Sequence, residues 1–262
     1  MKLKYGMPTL IENENIESCV ELCKELNLDF IELNMNLPDY QTDKIDISKF
    51  KTICGNEGIF FTIHLDENFN VCDFNKEVSK AYIKTVLSTI EIAKELNVPI
   101  LNMHMNNGVY FTLPTEKVYL FKEYKENYLS DLKNFRSLCE NAIGSSNIKI
   151  CIENSDGFMD FTMEGIEILL ESKVFGLTFD IGHNHSINGM DEPFIQKNIN
   201  KLYHMHIHDA VESKNHLALG NGEINIKEKL NLAKEHNCTC VLETKTINGL
   251  KESVRNLRKY EG

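Results

Sequence analysis

"KLYHMHIHDAV" (201–211) sets His204, His206 and His208 on alternate positions, with Met205 and Ile207 between them. Side chains along a strand point alternately to its two faces, so these three imidazoles share one face and the apolar residues the other. One inward histidine satisfied by backbone groups is ordinary. Three on one strand ask for a site.

Working outward, the same strand grammar recurs along the chain. β-rich runs appear at "LKYGMPT" (3–9), "LDFIELNM" (28–35), "IFFTIHLD" (59–66), "PILNMHMN" (99–106), "IKICIENS" (148–155), "FGLTFDIG" (175–182), "LYHMHIHD" (202–209) and "TCVLETK" (239–245). Amphipathic helical patterns fall between and after them, at 14–26, 46–55, 75–96, 116–143, 162–172, 191–200, 225–236 and 247–260. Three helices close on Asn just before the next strand, in "ELNLDF", "ELNVPI" and "EHNCTC", where Asn supplies a helix stop. Eight strands each followed by a helix, without a linker or a composition break, predict one domain over 1–262. The expected fold is α/β, a single (β/α)8 TIM barrel. A doubly wound open sheet is the alternative, and it requires some of these runs not to be strands.

A barrel makes a sharper prediction, because inward residues share parity along each strand and active sites gather at the strand C-terminal ends. By that parity the outward set is apolar: Ile31 and Leu33, Phe61 and Ile63, Leu101 and Met103, Ile150 and Ile152, Leu177 and Phe179, Met205 and Ile207. The inward set ends in Glu32, His64, His104, Glu153, Asp180, His206 (with His208) and Glu243. Any one of these could be a rim residue facing water. Seven strands agreeing point to a site.

Bulk properties exclude other classes. The chain holds 28 Lys and Arg against 39 Asp and Glu, a formal net charge of −11, which gives no electrostatic reason to expect nucleic acid or an anionic membrane. No 18-residue apolar run occurs and the start "MKLKYGMPTLIENENIE" has no apolar signal core, so neither membrane insertion nor export is expected. Eight scattered cysteines without a short-spaced framework suit a reduced, cytoplasmic protein. Cys238 and Cys240 are read as buried small hydrophobes rather than metal ligands.

Carboxylates and imidazoles without clustered thiolates suit one divalent ion of the Mn, Co, Zn or Mg group. Three carboxylates and a neutral imidazole around a dication leave a local charge near −1, so the ion can still polarise a substrate oxygen.

"CIEN" (151–154), "FDIGH" (179–183), "HIHD" (206–209), "HLALGNGEI" (216–224) and "LET" (242–244) resemble the xylose isomerase-like barrel superfamily. That superfamily holds sugar isomerases and epimerases and also endonuclease-four type apurinic endonucleases. The resemblance runs over essentially the whole chain. It implies that Glu153, Asp180, His206 and Glu243 bind one divalent metal, with Glu153 and Glu243 doubling as the acid/base pair. On the same resemblance His64, His104, His183 and His216 contact substrate or support the ligands. Glu32 is a candidate pocket residue, and His208 and Asp209 orient His206 from behind. His204 is read as core. Lys245, on Glu243's face, either binds an anionic substrate group or pairs with a carboxylate.

Between the two branches the sequence favours the isomerase or epimerase. The endonucleases need three zinc ions, and where they carry an Asp two residues before the histidine of the last loop motif this chain has Lys214. The loops "TLIENEN", "LPDYQTDK", "DENFNVCDFN", "NNGVYFTLPTEK", "SDGFMDF" and "HNHSINGMDEP" are acidic and would repel DNA phosphates. Phe69, Phe74, Tyr110, Phe111, Phe158 and Phe161 in those loops either pack locally or cover a sugar. The expected partner is a small carbohydrate. A barrel that binds metal and ligand without catalysis is the non-enzymatic alternative. Dimers and tetramers are common among such barrels, and no stretch identifies an interface.

Overall fold

The computed structural model describes residues 2–260. In chain order the elements are β1 (Lys4–Pro8), α1 (Ile16–Glu25), β2 (Phe30–Asn34), α2 (Ile47–Glu57), β3 (Phe60–His64), α3 (Lys76–Leu96), β4 (Ile100–His104), β5 (Tyr110–Thr112), β6 (Lys117–Tyr119), α4 (Leu120–Glu123) and α5 (Lys125–Ile143). There follow β7 (Lys149–Glu153), α6 (Asp160–Leu170), β8 (Phe175–Asp180), α7 (Ile181–Ser186), α8 (Glu192–Lys197), β9 (Leu202–Ile207), β10 (Asp209–Val211), β11 (Lys214–Leu217), α9 (Ile226–His236), β12 (Thr239–Leu242) and α10 (Ile247–Leu257). Eight parallel strands close in the order β1-β12-β9-β8-β7-β4-β3-β2. The fold is the (β/α)8 barrel that the sequence predicts.

Local chemistry sets the helix limits. Asn15, Asp46, Asn75, Asn225 and Thr246 cap helix starts by accepting a backbone N–H with the side chain, filling a donor the helix leaves orphaned. Asn27, Asn97 and Asn237 sit in the left-handed region with φ of 54–55°, where a short polar side chain tolerates the turn that ends a helix. The outward strand residues, from Ile31 to Leu242, are buried between sheet and helices, and this shell is the hydrophobic core.

The barrel interior departs from the usual layers of branched aliphatics. Below the mouth it holds Glu32, Thr62, Asn102, Thr178 and His204, each at most 1% exposed.

The structure refines three boundaries. The run at 175–182 ends as a strand at Asp180, whose side chain caps α7 by accepting the His183 N–H. The run at 116–143 opens with β6, which pairs with the preceding β5 as a hairpin, and breaks again at Tyr124 (φ −104°, ψ 43°) before α5. After Ile207 the chain turns back as a second hairpin, β10 with β11. Among the described residues no helix is long and apolar enough to cross a membrane.

Candidate metal centre at the barrel mouth

Strand register brings the polar ends to one height. His104 pairs with Glu153 across β4 and β7, and Asp180 with His206 across β8 and β9 after a register shift at Leu177/Thr178. Glu153, Asp180, His206 and Glu243 each present a donor atom within 4.8 Å of the others', and all four residues are buried. His206 Nδ1 is the hub: it lies 3.1 Å from Glu153 Oε1, 2.9 Å from Glu243 Oε2 and 3.8 Å from Asp180 Oδ2.

Each of the two glutamates has one oxygen held and one turned inward. Glu153 Oε2 accepts from the Asn102 amide and lies 3.2 Å from both His64 Nε2 and His104 Nε2. Its Oε1 faces His206. On the other side Lys245 Nζ holds Glu243 Oε1 at 2.7 Å, with His216 Nε2 at 3.6 Å, so the carboxylate pairing left open for Lys245 is the one present. Glu243 Oε2 is buried without a hydrogen-bond partner. Buried polar atoms are almost always satisfied, and an orphaned carboxylate oxygen among convergent donors is what a cation site requires. The four residues therefore fit a divalent ion, with three carboxylates and an imidazole as donors.

Electrostatics keeps the carboxylates ionised. Burial alone would push Glu153 and Glu243 up, but the His206 imidazole beside both, with His104 beside Glu153, holds them well below the usual range. Asp180 is lowered against burial chiefly by His208 and His183.

The structure also places the supporting residues. His208 lies outside the strand, 3.0 Å from Asp180 through Nε2, and its Nδ1 accepts the His216 backbone N–H at 2.8 Å. It supports Asp180, not His206 as expected. A Cβ on Gly182 would stand 1.9 Å from His208 Cε1, so only glycine leaves room for that ring. Asp209 also differs from expectation. Its carboxylate accepts the backbone N–H groups of Ala210, Gly220, Gly222 and Ile224 at 2.9–3.1 Å and clamps the loop after β11. Glu32, expected to line the pocket, is 1% exposed and sits a layer below His206. His183 lies at the mouth, 3.5 Å from Asp180 and 3.7 Å from Glu153. His64, with His104 and Glu153, forms a further set of converging donors. Its imidazole is pushed up to about 9, because the Glu153 and Glu32 carboxylates outweigh burial.

Two supporting residues lacked a predicted role. Asn102 holds Glu153 and takes the Thr178 hydroxyl on its oxygen. Asn154 brackets the Asp180 peptide, giving Nδ2 to its carbonyl and taking its N–H, both at 2.9 Å. Asn102 shares inward parity with His104 and Asn154 follows Glu153 in "CIEN", so position was the available signal.

A cavity of 370 Å³ opens beside His104, lined by Glu67, Asn106, Asn107, Tyr110, Tyr119 and Asp156 among others. A larger groove of 640 Å³ runs outside the barrel between α3 and α5, around Ile83, Leu87 and Leu138, away from these donors. Of the loop aromatics, Phe69, Phe158 and Phe161 are buried in local packing. Phe74, Tyr110 and Phe111 are 40–59% exposed.

The family description "Xylose isomerase-like TIM barrel" matches residues 20–260. The chain belongs to this family. An uncharacterized protein of Methanocaldococcus jannaschii is 27% identical to this barrel over 278 residues, covering 99% of this chain and 90% of its own. The crystal structure of a D-tagatose 3-epimerase-like protein superposes with a TM-score of 0.80 at 26% identity, covering 99% of this chain and 97% of the other. The crystal structure of the IolI protein with a zinc atom shares the fold, with a TM-score of 0.74, 17% identity and coverage of 99% and 96%. Other solved xylose isomerase-like barrels of the same fold are sugar epimerases.

Proposed function

We propose that this barrel is a divalent-metal-dependent epimerase or isomerase of a small neutral sugar or keto-polyol. The supporting observation is the matched posture of Glu153 and Glu243, each with one oxygen held by the chain and the other turned inward. They enter from β7 and from the end of β12, and β8 and β9 between them carry Asp180 and His206. A planar intermediate lying between the glutamates would meet one on each face.

A divalent ion held by Glu153, Asp180, His206 and Glu243 would stabilise the negative charge that develops on the substrate's oxygens. One glutamate takes the proton from the carbon beside the carbonyl, giving an enediolate, and the other returns a proton from the opposite face. Asn102 and Lys245 each hold one oxygen of their glutamate and so fix the carboxylate's orientation at the centre. The cavity beside His104 supplies amide, carboxylate and phenol groups and no Lys or Arg. Lys245 is already paired with Glu243. That lining suits hydroxyl groups better than a phosphate. The similarity to a D-tagatose 3-epimerase-like protein and to a zinc-bound barrel supports the same reading.

The test is solvent exchange. Candidate ketoses incubated in deuterated water with Mn, Co, Zn or Mg should take up deuterium beside the carbonyl. Glu153→Gln and Glu243→Gln should each slow that uptake by about 10²–10⁴-fold, the usual worth of a positioned proton transfer. Exchange that proceeds equally well in both variants would overturn the assignment.

A further inference from the structure

The barrel axis carries a column of polar side chains that the proposed chemistry does not touch. Thr239 Oγ1 lies 2.6 Å from His204 Nδ1, and His204 Nε2 lies 3.1 Å from Glu32 Oε2. The Thr62 hydroxyl donates to the same oxygen at 2.9 Å. Glu32 Oε1 in turn stands 2.9 Å from His206 Nε2, a buried nitrogen with no hydrogen-bond partner of its own. Glu32 and His204 are at most 1% exposed.

This arrangement is costly. Burying a carboxylate and two imidazoles in a layer usually filled by Val, Ile or Leu rarely adds stability over an apolar packing of equal volume. Its directionality is informative. An ionised Glu32 only accepts, so each histidine beside it must present an N–H. For His204 that leaves Nδ1 to accept from the Thr239 hydroxyl. For His206 a proton kept on Nε2 makes Nδ1, which faces Glu153, Asp180 and Glu243, the nitrogen that a cation would take.

We infer that Glu32 is a positioning residue that holds His206 with its proton on Nε2 and its Nδ1 lone pair at the metal centre, with Thr62, His204 and Thr239 holding Glu32. The inference rests on the metal-binding reading of the four donors above. A carboxylate behind a ligating histidine fixes ring and tautomer and raises ligand basicity, and its loss typically weakens metal binding by about 10–100-fold. The same column explains why a pocket-lining role fails for Glu32: the His206 ring stands between it and the mouth.

The experiment titrates the metal-free protein with Co²⁺, reading both the visible d–d spectrum and the dissociation constant. Glu32→Gln should bind about 10–100-fold more weakly than the parent chain, with an altered Co²⁺ spectrum. Thr239→Val, at the far end of the column, should give a smaller loss in the same direction. A parent-like dissociation constant and spectrum in Glu32→Gln would overturn the inference. Should that variant fail to fold, nitrogen NMR of the unaltered chain loaded with an NMR-active cadmium isotope decides. Coupling from the metal to His206 Nδ1 supports the inference and coupling to Nε2 overturns it. A parent chain that binds no divalent ion refutes the metal reading itself, a separate outcome.

Discussion

Two of the histidine clusters at the barrel mouth differ in what their nitrogens meet. In the first group His206 turns Nδ1 to Glu153, Asp180 and Glu243 and backs its Nε2 against Glu32. The second group is His183, His208 and His216, also close enough to hold an ion. There His208 has both nitrogens engaged, Nε2 by Asp180 and Nδ1 by the His216 backbone N–H. The rings of His208 and His216 stack at 4.3 Å. A cluster's residue types do not settle whether it can take a metal. Their surroundings differ. His208 meets one carboxylate, Asp180, whereas His206 Nδ1 faces three that converge on it. Lys214, at the start of β11, adds no anionic ligand to the second group.

The strongest way to break this comparison is to remove one histidine from each group. His206→Ala should weaken Co²⁺ or Zn²⁺ binding by about 100-fold or more, since even the carboxylate behind a ligand is worth about 10–100-fold. His183→Ala should cost less than about tenfold, the lower end of the same range. Elemental analysis of the parent chain should find about one ion, as expected of a single centre with three carboxylates and an imidazole. Equal losses in the two variants, or three ions per chain, would erase the distinction.

A second test asks whether the loop clamped by Asp209 behaves as scaffold. The Asp209 carboxylate accepts four backbone N–H groups, and a Cβ on Gly222 would stand 2.3 Å from its Oδ1. Asp209→Asn replaces one accepting oxygen with a donor that faces those N–H groups. Unfolding of the metal-free variant in urea should show a loss of about 2–3 kcal/mol, the scale of hydrogen bonds to a charged acceptor. Its cation affinity should stay near the parent value. A large fall in affinity without a fall in stability would assign Asp209 to the centre.

These differences mark how far the sequence was legible. Strand and helix periods, with Asn27, Asn97 and Asn237 as stops, located all eight barrel strands, because those signals are local and repeat eight times. Parity then put Glu153, Asp180, His206 and Glu243 on one rim. The second hairpin gave no turn signal, since its reversal uses Glu212 at φ 50° rather than the Gly or Asn such a turn favours. The roles of Glu32, His208 and Asp209 were misplaced for a related reason. Parity reports which face a side chain takes on a strand. It reports neither how deep the residue sits nor which partner faces its second polar atom. His208 and Asp209 lie beyond the end of β9, where parity no longer applies.

The mildest test reads the same contrast through pH. Burial opposes a charge on His206, but the Glu153, Glu32 and Glu243 carboxylates outweigh it and raise its proton affinity well above the ordinary value. A proton on His206 Nδ1 therefore competes with a cation for that nitrogen. Glu153, Asp180 and Glu243 are all lowered, so they are already ionised at neutral pH and release nothing. His64, pushed up to about 9 beside Glu153, holds a second such proton, so affinity should rise with pH by about tenfold per unit for each proton displaced. Calorimetry in two buffers of different ionisation enthalpy should then count one proton from His206 and at most one more from His64 per ion bound. A pH-independent affinity would show that His206 lies outside the centre.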